Sequence, residues 1–355
     1  MKRMAVTILG LLTLTVAVGE AITRYGLGVE PSPLPPDDTL DEPLGKFVEF
    51  DPVLGVRYKP NVDVLIDAPS GDFSILFKTN EIGLRDRPMG THLRKELKFL
   101  FLGDEFVEGW GTDIDENAIV EAQRTVNART ALQPPVRFVI GGKSGYGAAQ
   151  NLLIARQLVE QMPVRGIVFV YSALMPHSDR RFLARANIED GIAVGLHPAR
   201  GSGIDWPHAE DHPRSDANPF AGLASKSALA RWLADRWTAF AVGRAQPAGD
   251  ALRDRLAGMR GDATQLEASL APTLTHVKAI AALAGERDIP FMLVYLPLAP
   301  QVAGDEWPAG RARFGLPAAR VDSPDGALIE AFCRAENLRC LTAVAPLRAA
   351  AEAPD

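Results

Sequence analysis

The chain has 355 residues, enough for one large α/β domain with added segments or for two small domains. Hydrophobic residues make up 47% and charged residues 23%, a globular balance that excludes wholesale disorder. The net charge of −6, with basic residues scattered along the chain, argues against nucleic acid as a partner.

The N-terminus carries a targeting signal. Lys2 and Arg3 precede an apolar run that is closed by Glu20. Residues 1–24 therefore predict either a cleavable signal peptide or a membrane anchor formed by residues 4–22. Both readings place the rest of the chain outside the cytoplasm, in the periplasm or secreted, and an anchor would tie it to the inner membrane.

A proline-rich segment, residues 25–45, follows and predicts a linker, because prolines favour extended backbone and remove donors. Residues 46–96 predict a β-rich extension. Two runs of alternating apolar residues flank a turn at 69–72 and predict a hairpin, and residues 80–86 predict a loop. The alternating residues are Val62, Val64, Ile66, Phe73, Ile75 and Phe77.

The main domain is predicted to span residues 97–355. Continuous apolar runs typical of strands buried on two faces alternate with helical patterns, which predicts an α/β fold with a doubly wound parallel sheet. The predicted strands are 97–102, 136–140, 167–171, 291–296 and 339–342; predicted helices start near Glu116, Ala148 and Pro324, the last with Ser323 as its N-cap.

A further helix is predicted from Leu270, Leu274, Val277 and Ala281, which line one face. Pro272 should kink this helix or mark where its regular part begins. Residues of about 176–261 are rich in Arg, Pro, Asp and Gly and predict an insertion that covers the carboxyl edge of the sheet. One amphipathic helix is expected inside it, with a stripe formed by Leu229, Leu233, Trp237 and Phe240.

Two cysteines, Cys333 and Cys340, lie on a predicted helix and the strand after it. An oxidising compartment would permit a disulfide between them, and two buried thiols are the alternative.

The segment Gly103-Asp104-Glu105, at the end of the first main strand and followed by an aromatic residue and glycines, resembles the first block of SGNH/GDSL hydrolases. Residues 142–147 resemble their second block, and residues 80–86 are similar to a loop of membrane-anchored members. The resemblance covers roughly 46–175 and 262–347. It implies an SGNH/flavodoxin-like fold and a secreted or membrane-anchored bacterial protein, ancestrally an ester hydrolase or O-acyl-modifying enzyme on envelope carbohydrate.

The resemblance also shows which catalytic positions have changed. Glu105 stands where the family has its nucleophilic serine, and Leu174 stands nearest to the oxyanion asparagine. Gly145 is the one matching oxyanion donor. The family's Asp-x-x-His motif should follow the strand near Leu341, but the residues given contain no histidine after His276.

These changes predict an inactive, pseudoenzyme-like protein that acts by binding an envelope polysaccharide, an acylated small molecule or a protein partner. The alternative is an active esterase, deacetylase or acyltransferase with a non-standard triad, in which Ser144 would be the nucleophile and His177 the base. Capping of the next helix is the favoured role for Ser144. Because the family's final helix follows its Asp-x-x-His motif, we also expect no such helix here and an uncovered apolar face.

No cofactor and no metal are predicted. Gly142-Lys143-Ser144 is not a phosphate loop, because Arg137 stands where such a loop needs its first glycine. The adjacent carboxylates Asp104 and Glu105 make a poor glycosidase-like pair, since consecutive side chains rarely point the same way. His208 and His212 are flanked by prolines and predict a surface loop rather than a metal site.

Overall fold

The structure is a computed structural model that describes residues 16, 18–27, 47–67, 73–90, 96–130, 132–197, 223, 226–234, 236, 263–304, 320–322 and 324–352. The chain divides into two compact units, which are described separately. The smaller is Met1–Gly45 with His208–Gly249, and the larger is Lys46–Pro207 with Asp250–Asp355.

The larger unit contains all the described strands. They are β1 (Val48–Asp51), β2 (Gly55–Tyr58), β3 (Asp63–Asp67), β4 (Ser74–Lys78), β5 (Leu97–Leu102), β6 (Val136–Ile140), β7 (Val164–Ser172), β8 (Ala186–Glu189), β9 (Ile192–Leu196), β10 (Phe291–Leu296) and β11 (Arg339–Thr342).

Its described helices are α1 (Glu105–Glu108), α2 (Ala118–Thr130), α3 (Ala148–Gln161), α4 (Met175–Leu183), α5 (Ala263–Gly285), α6 (Ala299–Val302), α7 (Pro324–Ala335) and α8 (Val344–Ala351). A short 3-10 turn, Ile114–Glu116, precedes α2.

A five-stranded sheet organises this unit. Its strand order is β11-β10-β7-β5-β6, and every neighbouring pair is parallel. The chain moves to one side from β5 to β6 and to the other side from β7 through β10 to β11. The order reverses between β5 and β7, so the carboxyl ends of these two strands flank the crevice where such folds bind ligands.

Both faces of the sheet are covered, which confirms the predicted doubly wound α/β fold. On one face, Phe169 and Leu293 are fully buried against α3, α5 and α7. On the other face, Val168 and Val170 pack with Ile140 and with Val120 of α2. Burying each such side chain stabilises the fold by roughly 1.5–3 kcal/mol.

The β-rich extension is confirmed as two antiparallel pairs, β1 with β2 and β3 with β4. Ile66 pairs with Ile75 as the predicted alternation requires, and both are buried. An aromatic cluster holds the pairs together, with Phe77 centred 4.9 Å from Phe47 and 5.0 Å from Tyr58.

Two predicted elements begin at other residues than expected. Helix α5 begins at Ala263, ahead of Pro272, because Leu266 and Leu270 are buried and pack the preceding turns onto the core. Strand β7 begins earlier than predicted, at Val164, because its charged Arg165 lies on an exposed position.

The expectation that no helix follows the last strand is wrong, since α8 follows β11 directly. Helix α8 has no buried residue. It is attached through Arg348, whose Nε donates to the carbonyl oxygen of Gln301 at 2.8 Å. Leu341 of β11 remains 53% exposed at this edge.

Cys333 of α7 and Cys340 of β11 are joined by a disulfide, with their Cα atoms 6.2 Å apart. This resolves the two alternatives that the sequence left open.

In the smaller unit, Glu20 caps the helical residues 228–234. Its carboxylate accepts from the Ser227 hydroxyl at 2.6 Å and from the amides of Ala228 and Leu229 at 2.9 and 3.0 Å. The bond from Ser227, with the two amide bonds, lowers the pKa of Glu20 to about 2. Leu229 and Leu233 of the predicted stripe are half-buried, while Trp237 and Phe240 lie outside the described residues.

Most of the predicted anchor, residues 4–22, also lies outside the described residues. Within the described part of the chain, no helix combines the length and apolar character that crossing a membrane requires. Ser323, His208 and His212 are likewise outside the described residues.

Candidate functional site

The carboxyl end of β5 enters the site through Gly103. The Gly103 amide donates to Asn151 Oδ1 of α3 at 2.9 Å, and Asn151 Nδ2 donates back to the Gly103 carbonyl at 3.1 Å. A Cβ atom on Gly103 would collide with Val107, so glycine is required for α1 to fold back here. This pair of hydrogen bonds fixes where the next residues point.

Asp104 is 1% exposed and joins the ends of β5 and β7. One carboxylate oxygen accepts from the Phe106 amide at 3.2 Å and caps α1. The other accepts a short hydrogen bond from the Ser172 hydroxyl, and Ser172 Oγ accepts from the Leu174 amide at 3.1 Å. Asp104 is therefore a structural carboxylate that spans the crevice.

Glu105 is the first residue of α1 and is half-buried. Its negative charge acts on Lys143 in the turn after β6. The structure thus places Glu105 at the strand tip where the sequence predicted it, facing the second motif.

Glu108, which the sequence analysis did not single out, is fully buried behind Glu105. Its carboxylate accepts from the Tyr58 hydroxyl at 2.7 Å and makes a short hydrogen bond with the Ser144 amide. Burial, followed by the charge of Glu108, raises the pKa of Tyr58 well above its ordinary value. Glu108 thus connects the β-rich extension to the turn after β6.

Arg85 holds the far end of α1. It is 1% exposed, and its guanidinium donates to the carbonyls of Glu108 at 2.6 Å and Gly109 at 2.8 Å, and also to that of Thr112. These carbonyls lie at the helix end, where a cation is favoured. Arg85 lies in the predicted loop 80–86, for which the sequence analysis gave a resemblance to a family loop but no role for any side chain.

Lys143 is 5% exposed and lies between two aromatic rings. Its ammonium is 4.2 Å from the centre of the Tyr58 ring and 5.2 Å from that of Tyr146. Burial lowers the pKa of Lys143 to about 8, while the charges of Glu108 and Glu105 oppose that shift. The Tyr146 hydroxyl donates to the Val56 carbonyl at 2.6 Å, which fixes the second ring.

The turn itself contains the predicted Ser144 and Gly145. Gly145 has a φ of +78°, in the left-handed region that favours glycine. Ser144 is 1% exposed, and within the described part of the chain its Oγ atom has no hydrogen-bond partner. The predicted helix-capping role of Ser144 is wrong, because Gly147 is the N-cap of α3.

His177 of α4 lines the same cavity as Ser144, a space of about 50 Å³. No hydrogen bond joins the Ser144 hydroxyl to His177, since that hydroxyl has no partner among the described residues. Leu174 is half-buried at the end of β7 and presents an apolar side chain. The structure thus gathers the predicted residues at one sheet edge without linking Ser144 and His177 as nucleophile and base.

His276, the last histidine in the residues given, is held elsewhere in the unit. Its Nε2 accepts from the Ala193 amide at 3.1 Å, and its Nδ1 lies 2.7 Å from the Pro272 carbonyl as donor. The nearby Asp179 accepts from the Ala149 amide at 2.8 Å and from the Thr273 hydroxyl at 2.6 Å. Burial raises the pKa of Asp179. These groups hold α3, α4 and α5 together and lie apart from the cavity lining.

Among the described residues, no cluster of His, Cys, Asp and Glu is arranged to hold a metal ion. Asp113 accepts from the Leu76 amide at 3.1 Å, and Asp115 pairs with Arg124 at 3.0 Å. Both carboxylates therefore bind groups of the protein itself near the start of α2.

Comparison with solved structures finds likenesses with low scores. AlinE4, an SGNH-hydrolase family esterase, is 12% identical with a TM-score of 0.32, over 74% of this chain and 82% of that chain. TesA is 11% identical with a TM-score of 0.31, over 68% and 76%. A GDSL-like lipase from Bacteroides thetaiotaomicron is 15% identical with a TM-score of 0.26, over 69% and 67%.

No family model and no curated protein matches the chain. Likenesses at these scores carry no weight for function, so the proposal below depends on the chain's own motifs and contacts.

Proposed function

We propose that this chain is an SGNH/GDSL-hydrolase-like protein that does not cleave esters and acts outside the cytoplasm by binding. The observation that carries the proposal is Glu105 at the tip of β5. It directly follows Gly103 and Asp104, where the resembled family has its serine.

A carboxylate at this position is unsuited to ester hydrolysis for two reasons. It has no hydroxyl to attack the carbonyl and be deprotonated by a histidine. Its negative charge also opposes the negative charge that develops on the carbonyl oxygen during acyl transfer. Leu174, at the end of β7, offers no side-chain donor to compensate.

The remaining groups favour a binding role. Asp104, Glu108 and Asn151 are buried and hydrogen-bonded, so the sheet edge is rigid. A rigid crevice loses little conformational entropy when a ligand binds. The ligand that we propose is an acylated carbohydrate of the cell envelope, with a protein partner as the alternative.

The extracytoplasmic location rests on two features. Residues 4–22 form an apolar run behind two basic residues. The disulfide between Cys333 and Cys340 is of the kind that persists in oxidising compartments. A fusion of an alkaline-phosphatase reporter to the chain tests this, because the reporter is active only in an oxidising compartment. We expect activity that is lost when residues 1–24 are removed, and an inactive reporter on the full chain would contradict the proposal.

The test of inactivity is hydrolysis of p-nitrophenyl acetate by the purified chain. We expect a rate equal to that of buffer, and we expect the same rate from Glu105→Ser, because Leu174 offers no side-chain donor to the oxyanion and the residues given contain no histidine after His276. Retention of the chain on an immobilised O-acetylated polysaccharide, competed by the soluble polysaccharide, would support binding. Turnover that Ser144→Ala abolishes would contradict the proposal.

One observation favours a second candidate, an esterase that uses Ser144. The Ser144 hydroxyl is buried, has no partner among the described residues, and lines the same cavity as His177. If this candidate is right, His177→Ala and Ser144→Ala should each abolish turnover while His197→Ala should not. His197 is exposed and does not line the cavity, so it serves as the matched control.

A further inference from the structure

Two helical segments of the smaller unit pack against each other. Residues 18–26 are helical, with a π-helical end at Ile22–Gly26, and the carboxylate of Glu20 caps the helical residues 228–234. Gly19 lies against Leu229, because a Cβ atom on the glycine would come within 3.0 Å of Leu229 Cδ2. Thr23 is 4% exposed, and its hydroxyl donates to the Gly19 carbonyl at 2.8 Å. The inner face of residues 18–26 therefore consists of small and polar residues.

The opposite face of residues 18–26 is apolar and exposed. Val18, Ile22 and Tyr25 are 49%, 56% and 82% exposed, and we refer to these three residues as the apolar stripe. Their spacing of four and three residues places them on one side of a helix. In a soluble protein such a stripe faces the core and polar residues face water, so the arrangement here is inverted. An exposed stripe of this kind indicates a surface that another molecule covers.

The charged groups near the apolar stripe are mostly cationic. Among the described residues of the smaller unit, Glu20 is the single carboxylate, and it is bound by the second segment. Lys226 and Arg236 are exposed, and the Arg236 guanidinium lies 5.3 Å from the centre of the Trp232 ring. Long basic side chains beside Trp and Tyr rings are typical of the boundary between an anionic membrane and water. The charge of this surface therefore complements phospholipid phosphates.

The sequence before the apolar stripe favours lipid over a protein groove as the covering molecule. The run Met4–Gly19 contains no charged residue, and threonine is its only polar residue type. A protein groove requires one apolar face of a helix, whereas a segment that is apolar on all sides suits hydrocarbon. The apolar stripe overlaps the end of this run, so we expect both to meet the same medium.

We propose that the two helical segments of the smaller unit, residues 18–26 and 228–234, bind the surface of a bilayer that contains anionic phospholipids. The apolar stripe is inserted among the acyl chains, and Lys226 and Arg236 lie at the level of the phosphates. The sequence predicted a membrane contact for residues 4–22 alone, so the contact of the second segment is new. This inference concerns the smaller unit and goes beyond the function proposed for the larger one.

The test places a fluorophore on the apolar stripe of the full chain. Ile22→Cys and Tyr25→Cys are each labelled with a nitrobenzoxadiazole group, since both native cysteines are held in their disulfide. The vesicles consist of phosphatidylcholine and phosphatidylglycerol. We expect the emission of both labels to shift to shorter wavelength and to be quenched by nitroxides on the lipid acyl chains. The matched control is Leu65→Cys in the larger unit, which is 64% exposed and should show neither effect.

The cationic part of the surface has a separate readout. A label on Leu223→Cys, at a 58% exposed position three residues before Lys226, should be quenched by nitroxides on the lipid headgroups. Lys226→Gln combined with Arg236→Gln should reduce this quenching, because the attraction to anionic lipid is lost. Arg129→Gln combined with Arg156→Gln makes the same change of charge at exposed positions of the larger unit and should leave the quenching unchanged.

The inference is overturned if acyl-chain nitroxides do not quench the labels on the apolar stripe, or if they quench the Leu65→Cys label as strongly. It is also overturned if the Lys226 and Arg236 variant leaves the quenching at Leu223→Cys unchanged. A shift of emission that no lipid nitroxide quenches would assign the apolar stripe to a protein partner or a second copy instead. If Ile22→Cys fails to fold, the more exposed Tyr25→Cys decides. Each of these outcomes leaves the function proposed for the larger unit untouched.

Discussion

The two sides of the central sheet differ in how their carboxyl ends are stabilised. At β5, buried polar groups satisfy one another: Asp104 binds Ser172, Asn151 binds Gly103, and Glu108 binds Tyr58. At β11 the strand is exposed, α8 has no buried residue, and a disulfide joins the strand to α7. The β5 side therefore has a framework of buried, mutually hydrogen-bonded polar groups around Glu105, and the β11 side depends on a covalent bond instead.

The largest expected effect tests whether the β5 side depends on its buried carboxylate. Glu108→Ala should destabilise the fold by about 4 kcal/mol, because it leaves the Tyr58 hydroxyl and the Ser144 amide without their acceptor and removes one of the negative charges that act on Lys143. Urea unfolding followed by circular dichroism measures the change.

The control for that variant is Glu105→Ala. This substitution also removes a glutamate side chain from α1, but at a half-buried position. We expect it to change stability by less than about 1 kcal/mol. Equal losses in the two variants would show that burial of Glu108 is not what stabilises this side.

Asn151→Ala should cost about 3 kcal/mol in the same assay. It removes three hydrogen bonds, two to Gly103 and one to the Gly147 carbonyl at 2.8 Å, and leaves those backbone groups buried. Asn127→Ala removes two comparable bonds to Val136 from a more exposed position and should cost less. A larger loss of stability in Asn127→Ala than in Asn151→Ala would contradict the expectation that hydrogen bonds between more deeply buried groups contribute more.

The disulfide is the corresponding test of the β11 side. Replacing both cysteines with serine should cost about 2 kcal/mol, since the bond closes a short loop with a separation of 7 residues. The free energy of unfolding of the wild type, measured with and without reductant, checks this value. A loss larger than that of Glu108→Ala would show that the disulfide stabilises the fold more than the buried carboxylate does.

The smallest expected effect is a pH dependence on the β5 side. The pKa of Lys143 is lowered to about 8 in the fold, so between about pH 8 and 9.5 the unfolded chain binds more protons. Stability should therefore rise with pH in this window, by at most about 1 kcal/mol per pH unit.

The pKa values of Tyr58 and Tyr146 are raised in the fold. These two tyrosines therefore contribute stability that is lost only above about pH 10.

Lys143→Met should remove this rise, and unfolding in urea at several pH values measures it. A rise of equal size in Lys143→Met would assign the effect to other groups.

Much of the fold could be predicted because its signals are local. Strand β10 was predicted from a continuous apolar run and β5 from a mostly apolar one, and both have the predicted bounds. Helix α8 was missed because a family pattern was given more weight than the helix-favouring alanines of 344–351.

The site could be placed but not described from the sequence. Gly103, Asp104, Glu105 and Gly145 were found because they stand in recognisable order. Glu108 was not recognised, because its partner Tyr58 is 50 residues away and no local pattern shows which carboxylate is buried. The cavity beside Ser144 depends in the same way on α4 and the β-rich extension meeting at one turn.

The cap that Glu20 provides has a consequence for processing of the N-terminus. A protease that cuts before Glu20 would leave the carboxylate beside Ser227, and the capped helix would keep its acceptor. A cut after Glu20 would release that acceptor and uncover the first amides of the helix, those of Ala228 and Leu229. If the N-terminus is cleaved, the position of the scissile bond therefore decides whether this helix keeps its acceptor.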